Sequence, residues 1–236
     1  MTTNEHGQQV GDEVPEWTAR TPPGPVTLAG RYVRLEALAA EHAEPLFEAL
    51  CGPDDAPLWT YRPTDPPTDV AGMARVVAET AASPDTVTLA IVPLDTGRAA
   101  GMATYYRVDP QHGTIEVAGV IYARSLQRTR AATEAIHLMA CHAFEELGYR
   151  RFEWKCDSLN EPSARAARRL GFTYEGRFRH HMVIKGRNRD TDWFSITDTE
   201  WPAVRGRNER WLDPANFEDD GTQRTRLSAL VADAPA

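Results

Sequence analysis

The sequence predicts one α/β domain, a mixed and twisted central sheet of about seven strands with helices on both faces. Three observations predict it. Strand-like runs at 87–92, 100–108 and 114–122 follow one another across short turns, which makes them antiparallel neighbours. The run 115–122 then leads through a basic turn into a helix pattern and out to a second strand, 151–157. A strand–helix–strand unit of this kind places its strands parallel through a right-handed crossover. Finally, no repeat and no linker-like stretch interrupts the middle of the chain.

The elements follow in order. Residues 1–25 are polar and rich in Pro, Gly and Glu, and read as a flexible arm that buries too little apolar surface to order itself. The domain is expected over 26–217. Alternation of Val33 and Leu35 against Arg34 and Glu36 marks the first strand. Leu46, Phe47 and Leu50 form the apolar stripe of a helix over 40–50, stopped by Cys51-Gly52-Pro53. Five prolines in 53–68 make an irregular loop that carries Trp59 and Tyr61. Asp69 is the expected N-cap of a helix over 69–82. After the three antiparallel strands comes the strongest helix pattern, 131–147, with apolar residues at 3–4 spacing and Gly148 as its stop. Strand 151–157, a helix over 163–170 and a strand from 172 to about 183 follow. A polar hairpin turn is expected at 185–190, then a returning strand 192–197 and a terminal helix over 200–210 opened by Trp201-Pro202. Residues 218–236 read as a flexible tail.

Composition bounds the function. The formal charge of -8 gives no support to a nucleic-acid partner. No run approaches the roughly 20 apolar residues that span a bilayer, and residues 1–25 lack the apolar run of a signal peptide. Cys51, Cys141 and Cys156 have no metal spacing, and such usage fits a reducing cytoplasm; no metal site is expected.

The most informative stretch is Ser125-Leu126-Gln127-Arg128-Thr129-Arg130, between a strand and a helix N-terminus. Backbone amides at a helix start have no internal partner, and the helix dipole favours an anion there. The turn therefore reads as a phosphate seat. The alternative is a set of solvent-facing arginines, which the dipole opposes. Further on, Asn160-Glu-Pro-Ser163 reads as a helix cap, followed by Leu170-Gly171-Phe172.

This layout, over roughly residues 30–200, resembles the GCN5-related N-acetyltransferase (GNAT) superfamily, most closely its ribosomal-protein N-terminal acetyltransferase branch. The turn Gln127-Arg128-Thr129-Arg130-Ala131-Ala132-Thr133 occupies the place of the family's Arg/Gln-x-x-Gly-x-Gly/Ala motif. Arg128 and Arg130 stand where that branch has glycines. The resemblance implies acetyl-CoA as donor, with its pyrophosphate on the backbone of residues 127–133. It implies pantetheine along the backbone of Val120, Ile121 and Tyr122, and a contact from Asn160. The strand at 152–156 should splay from 115–122 to leave a slot for the thioester.

Direct acyl transfer from a thioester needs a neutral amine, a polarised carbonyl and a stabilised leaving thiolate. Glu116 is the leading candidate base, with Glu153 and Asp157 as alternatives, and Ser163 is the candidate contact or acid for the leaving sulfur. Tyr122 either polarises the thioester or packs on the sheet. Cys156 lacks an anchored His and is expected to be structural. The acceptor, a small-molecule amine or a peptide N-terminus, is expected among Trp59, Tyr61, Tyr105, Trp154, His180, His181 and Trp193. Succinyl-CoA is the alternative donor, and a non-catalytic CoA-binding or regulatory protein is the rival reading. A homodimer stays open. A nucleotide enzyme is disfavoured, because the chain has no Gly-x-x-x-x-Gly-Lys-Ser/Thr loop.

Overall fold

The computed structural model describes residues 2–230. A small hairpin of β1 (Thr2–Thr3) and β2 (Gln9–Val10) opens the chain. The main sheet is built from β3 (Leu28–Ala29), β4 (Val33–Ala37), β5 (Val87–Pro93), β6 (Gly101–Asp109), β7 (Thr114–Tyr122), β8 (Arg151–Asp157), β9 (Thr173–Ile184) and β10 (Arg187–Thr197). Its order is β3-β4-β5-β6-β7-β8-β10-β9, eight strands in all. Every pair is antiparallel except β7 with β8, which runs parallel as the crossover requires.

Among the described residues, five α-helices complete the fold: α1 (Ala43–Leu50), α2 (Val70–Ala81), α3 (Arg130–Cys141), α4 (Glu161–Leu170) and α5 (Trp201–Leu212). Asp69 caps α2 through the Gly72 amide, as the sequence suggests. The long helix pattern at 131–147 divides: α3 ends at Cys141, and a wide turn of π-helix covers His142–Glu146 before Gly148 turns left-handed. The turn expected at 185–190 contracts to Lys185-Gly186, both at positive φ, and β10 begins at Arg187.

Alternation along the strands sorts the two faces. Tyr105, Val117, Trp154 and Phe194 lie in register across β6, β7, β8 and β10. Tyr105 bonds the Met139 carbonyl of α3 and Trp154 bonds Ser163 of α4, so this is the helix-covered face. Tyr106, Glu116, Glu153 and Ser195 are the corresponding residues on the other face, with Lys155 and Trp193 paired one step further on.

Parts of both terminal segments pack against the domain. In the expected arm, residues 17–21 dock on the domain: the Trp17 indole N–H donates to the Gln111 carbonyl, the Arg20 amide to Pro110, and Tyr149 Oη to the Thr21 carbonyl. Arg20 stacks 4.3 Å over the Trp17 ring. One aromatic anchor supplies what the average composition of the segment lacks. The expected tail packs as far as residue 230, where Phe217 and Leu227 form a small cluster with Trp211 and Leu212. Residues 231–236 lie outside the described residues. Among the described residues, no helix is long and apolar enough to cross a membrane.

Candidate active site

Strands β7 and β8 pair only from Thr114–Arg151 to Val117–Trp154. Beyond that they part. The cause is local to β7: Met102 faces Ile121 but Thr104 faces Ala118, so β7 carries an extra residue at Gly119-Val120. Gly119 has φ +62, the left-handed conformation such a bulge uses. The sequence signal was an isolated Gly inside a strand pattern. One edge of residues 118–122 is thereby released from β8, as the sequence reading expected of the slot.

At the end of the opening stands the N-terminus of α3. Thr129 caps it, its Oγ1 accepting from the Ala132 amide and donating to the Leu126 carbonyl. Among the described residues, the amides of Arg128, Arg130 and Ala131 take no hydrogen-bond acceptor. Three free amides on one turn form an anion seat that does not depend on side-chain charge.

The arginines here have different fates. Arg128 is exposed and left-handed at φ +64, a conformation that suits glycine and costs strain with an arginine side chain. Arg130 is held between the rings of Tyr32 and Phe217, at 4.6 and 4.7 Å. Arg124 is committed to Asp55 and the Asp54 carbonyl. Together Arg31, Arg128 and Arg130 line a cavity of about 710 Å³ beside the helix start. Gln127 donates to the Tyr122 carbonyl, and Thr133 Oγ1 joins the Thr129 carbonyl to Arg169.

At the start of α4, Asn160 is the N-cap, its Oδ1 accepting from the Ser163 amide. Ser163 Oγ accepts from Trp154 Nε1 at 3.0 Å. That bond uses an acceptor site of the hydroxyl, and the Cys156 sulfur is the neighbour its O–H faces. Burial pushes the neighbouring Cys156 thiol up to about 11, against a hydrogen bond with Ser163 that lowers it. A thiol so protonated is a poor nucleophile.

On the other face, Glu116 is buried. Its Oε2 meets Lys155 Nζ at 2.7 Å and Arg107 Nε at 3.9 Å. Burial raises the carboxyl above its ordinary range, and Lys155 and Arg107 oppose the rise. Arg107 reaches it from a second bulge, where β6 turns left-handed at φ +45.

The aromatic residues expected around an acceptor divide. Trp59 and Tyr105 are core residues, which corrects their expected place in a pocket. Trp59 is 1% exposed and spends its N–H on the Leu50 carbonyl, and Tyr105 Oη is engaged by Met139 and His142. Trp154 is likewise buried and serves Ser163. Tyr61 is exposed, its Oη bonded to the Leu159 carbonyl. Trp193 lies over Lys155, with a buried and unpartnered Nε1. His180 sits in a β9 bulge at φ +51, its amide donating to Asp190 Oδ1. His181 Nδ1 lies 2.9 Å from Thr191 Oγ1. No group of three potential metal ligands occurs among the described residues.

Sequence reasoning missed Arg62. Its guanidinium donates to the Gly119 carbonyl at 2.6 Å, so the Pro-rich loop grips the bulge itself. Lys185 ties the same loop to the β9–β10 hairpin through Asp65 and the Trp59 carbonyl. No local signal singles out this arginine among the others.

The sequence model of the Acetyltransferase (GNAT) domain matches residues 33–173, the span from β4 to the start of β9. With the split parallel pair and the helix start at its end, this defines the class: the chain belongs to the GNAT acetyltransferase family. A solved GCN5-related N-acetyltransferase from Brucella melitensis is 41% identical and superposes with a TM-score of 0.89, over 91% of this chain and 98% of that one. A structure described as a probable GNAT-family acetyltransferase from Chromobacterium violaceum ATCC 12472 is 39% identical, with a TM-score of 0.77, over 83% of this chain and 98% of that one. The Bacillus subtilis (strain 168) protein YdaF, whose name assigns it provisionally to ribosomal N-acetyltransferases, is 27% identical over 109 residues. That match spans 46% of this chain and 59% of the length of YdaF.

Proposed function

We propose that the protein transfers an acetyl group from acetyl-CoA to a primary amine by direct attack in a ternary complex, with residues 26–217 as the acyltransferase domain. One observation carries the reading. The opening between β7 and β8 has three free amides at one end and a buried, anchored carboxylate at the other. A donor with a phosphate end and a reactive thioester end fits such a slot.

In this reading the backbone of residues 127–133 holds the pyrophosphate, and Arg128 adds charge from the rim. Residues Val120, Ile121 and Tyr122 hold the pantetheine by their free strand edge, and Asn160 borders it. The amine nitrogen bonds to the thioester carbonyl carbon, and the C–S bond breaks with its electron pair on sulfur. The amine gives its proton to Glu116. The Ser163 hydroxyl, already accepting from Trp154, hydrogen-bonds the departing thiolate, which takes a proton from water, and Glu116 releases the amine proton to water in exchange. Tyr61 and Trp193 flank the acceptor, a small-molecule amine or a peptide N-terminus. The name of YdaF favours an N-terminal α-amine. The free thiols Cys51, Cys141 and Cys156 suit a reducing compartment, and we place the reaction in the cytoplasm.

The test offers a panel of amines and short peptides with acetyl-CoA or succinyl-CoA, read by mass spectrometry. The expected product carries acetyl on a primary amine. Succinyl transfer in preference to acetyl would replace the donor. CoA binding with no product across the panel would favour the non-catalytic reading.

A further inference from the structure

Glu116 does not stand alone. Lys155 lies one residue past the last β7–β8 pair, and its stem returns across the opening to reach Glu116. Its Nζ is 2.7 Å from Glu116 Oε2, 3.5 Å from Glu153 Oε2 and 3.6 Å from the centre of the Trp193 ring. The Lys155 and Glu116 side chains are each only 6% exposed. Trp193 faces Lys155 directly in the β8–β10 register, so the sheet itself sets ring against ammonium.

The charged groups nearest this pair are partnered, while Arg189 of β10, which acts on His181, has a buried Nε with no hydrogen-bond partner among the described residues. Arg107 approaches Glu116 from β6, and Arg151 takes Glu153 and, from β9, Glu175. Ser195 of β10 bonds Glu175 as well. His181 of β9 lies against Trp193 at 6.2 Å and is bonded to Thr191. A buried ammonium must keep such partners, so its position is fixed. One consequence falls on Glu116. Its Oε2 is committed to Lys155, while Oε1 has no hydrogen-bond partner among the described residues.

We infer that Lys155 is a positioning residue for the transfer: it anchors Oε2 of Glu116 and keeps the carboxylate ionised, leaving Oε1 to accept the amine proton. Trp193 supports it by holding the ammonium on the ring face. This inference rests on the reading of Glu116 as proton acceptor. The two can fail separately.

The experiment follows the Glu116 carboxyl carbon by NMR in glutamate-labelled full-length protein, without acceptor. Wild type, Lys155→Met, Lys155→Arg and Trp193→Leu are titrated, with circular dichroism as the fold control. Lys155→Met should raise the Glu116 midpoint by about one pH unit or more, and Trp193→Leu by less. Lys155→Arg should restore most of the wild-type midpoint. The paired kinetics use acetyl-CoA with a short peptide amide bearing a free N-terminal serine. There the acid limb of Lys155→Met should move up with the NMR midpoint, with KM for acetyl-CoA unchanged. An unmoved Glu116 midpoint in Lys155→Met would overturn the inference and leave the base role standing. So would a uniform loss of rate at every pH, which is what a merely structural lysine would give. Full turnover in Glu116→Gln would overturn the base role, and with it any catalytic consequence of Lys155.

Discussion

Replacing Arg128 with glycine should make the protein more stable and its donor binding weaker. The two effects have separate causes at one residue. Arg128 sits at φ +64, where an L side chain costs about 1–2 kcal/mol. Glycine removes that cost and returns part of it as unfolded-chain entropy, leaving a gain of about 1 kcal/mol. For a chain of this length, about 1 kcal/mol corresponds to a rise in Tm of about 2–4 °C. The guanidinium is exposed, so its attraction for phosphate is screened and worth about 1 kcal/mol, or about fivefold in affinity. Arg128→Ala is the control, since it loses the charge and keeps the strained backbone. Thermal unfolding should then rank Gly above Arg and Ala, while calorimetric titration with CoA should show both variants weakened alike. The loss should shrink as salt is raised. A glycine variant no more stable than the alanine variant would refute the strain argument. Unchanged CoA affinity at low salt would refute the phosphate role of the side chain and leave the seat to backbone amides alone.

Three further outcomes follow from the geometry. Glu116 must be ionised to take a proton and burial raises its pKa, so kcat/KM should fall on the acid side with a midpoint above the ordinary value of 4.5; Glu116→Gln should cost about 10²–10⁴ in turnover with CoA affinity kept. Glu134→Ala should destabilise by about 3–5 kcal/mol in chemical denaturation, because its carboxylate accepts from the amides of Arg31, Tyr32 and Val33 at 2.9, 2.6 and 3.0 Å. Ser163→Ala should orphan the Trp154 indole N–H, costing about 1–2 kcal/mol of stability, and should lower kcat more than it changes KM for acetyl-CoA.

What the sequence disclosed was local. The unit from β7 through the Arg-rich turn and α3 to β8 was legible because its hydrophobic period changes from two to 3.6 and back. The cap residues Asp69 and Asn160 were legible because their chemistry acts over three residues. Long-range partners were not. Glu134 reaches back more than a hundred residues to hold the turn before β4, and nothing in α3 distinguishes it from a solvent-facing acid. Arg62 on the Gly119 carbonyl is hidden in the same way. The aromatics were misplaced for a different reason. Period-two alternation assigns Tyr105 and Trp154 to a face but does not say which face a helix covers, so core and pocket look alike. Arg128 illustrates a third limit, because no property of an arginine announces a left-handed backbone. The two bulges beside the site, at Gly119 and Arg107, were half legible: the glycine signals one and nothing signals the other.

The central claim is direct attack of an amine on a thioester held between β7 and β8. The most direct test is a rapid-quench experiment with isotopically labelled acetyl-CoA and an accepted amine, following label on product and on intact protein in the same samples. The account predicts label on the amine from the first turnover and none on the protein, since the Cys156 thiol is buried and held protonated. An acetyl group that forms on Cys156 and discharges at the rate of turnover would contradict it and make that cysteine the nucleophile.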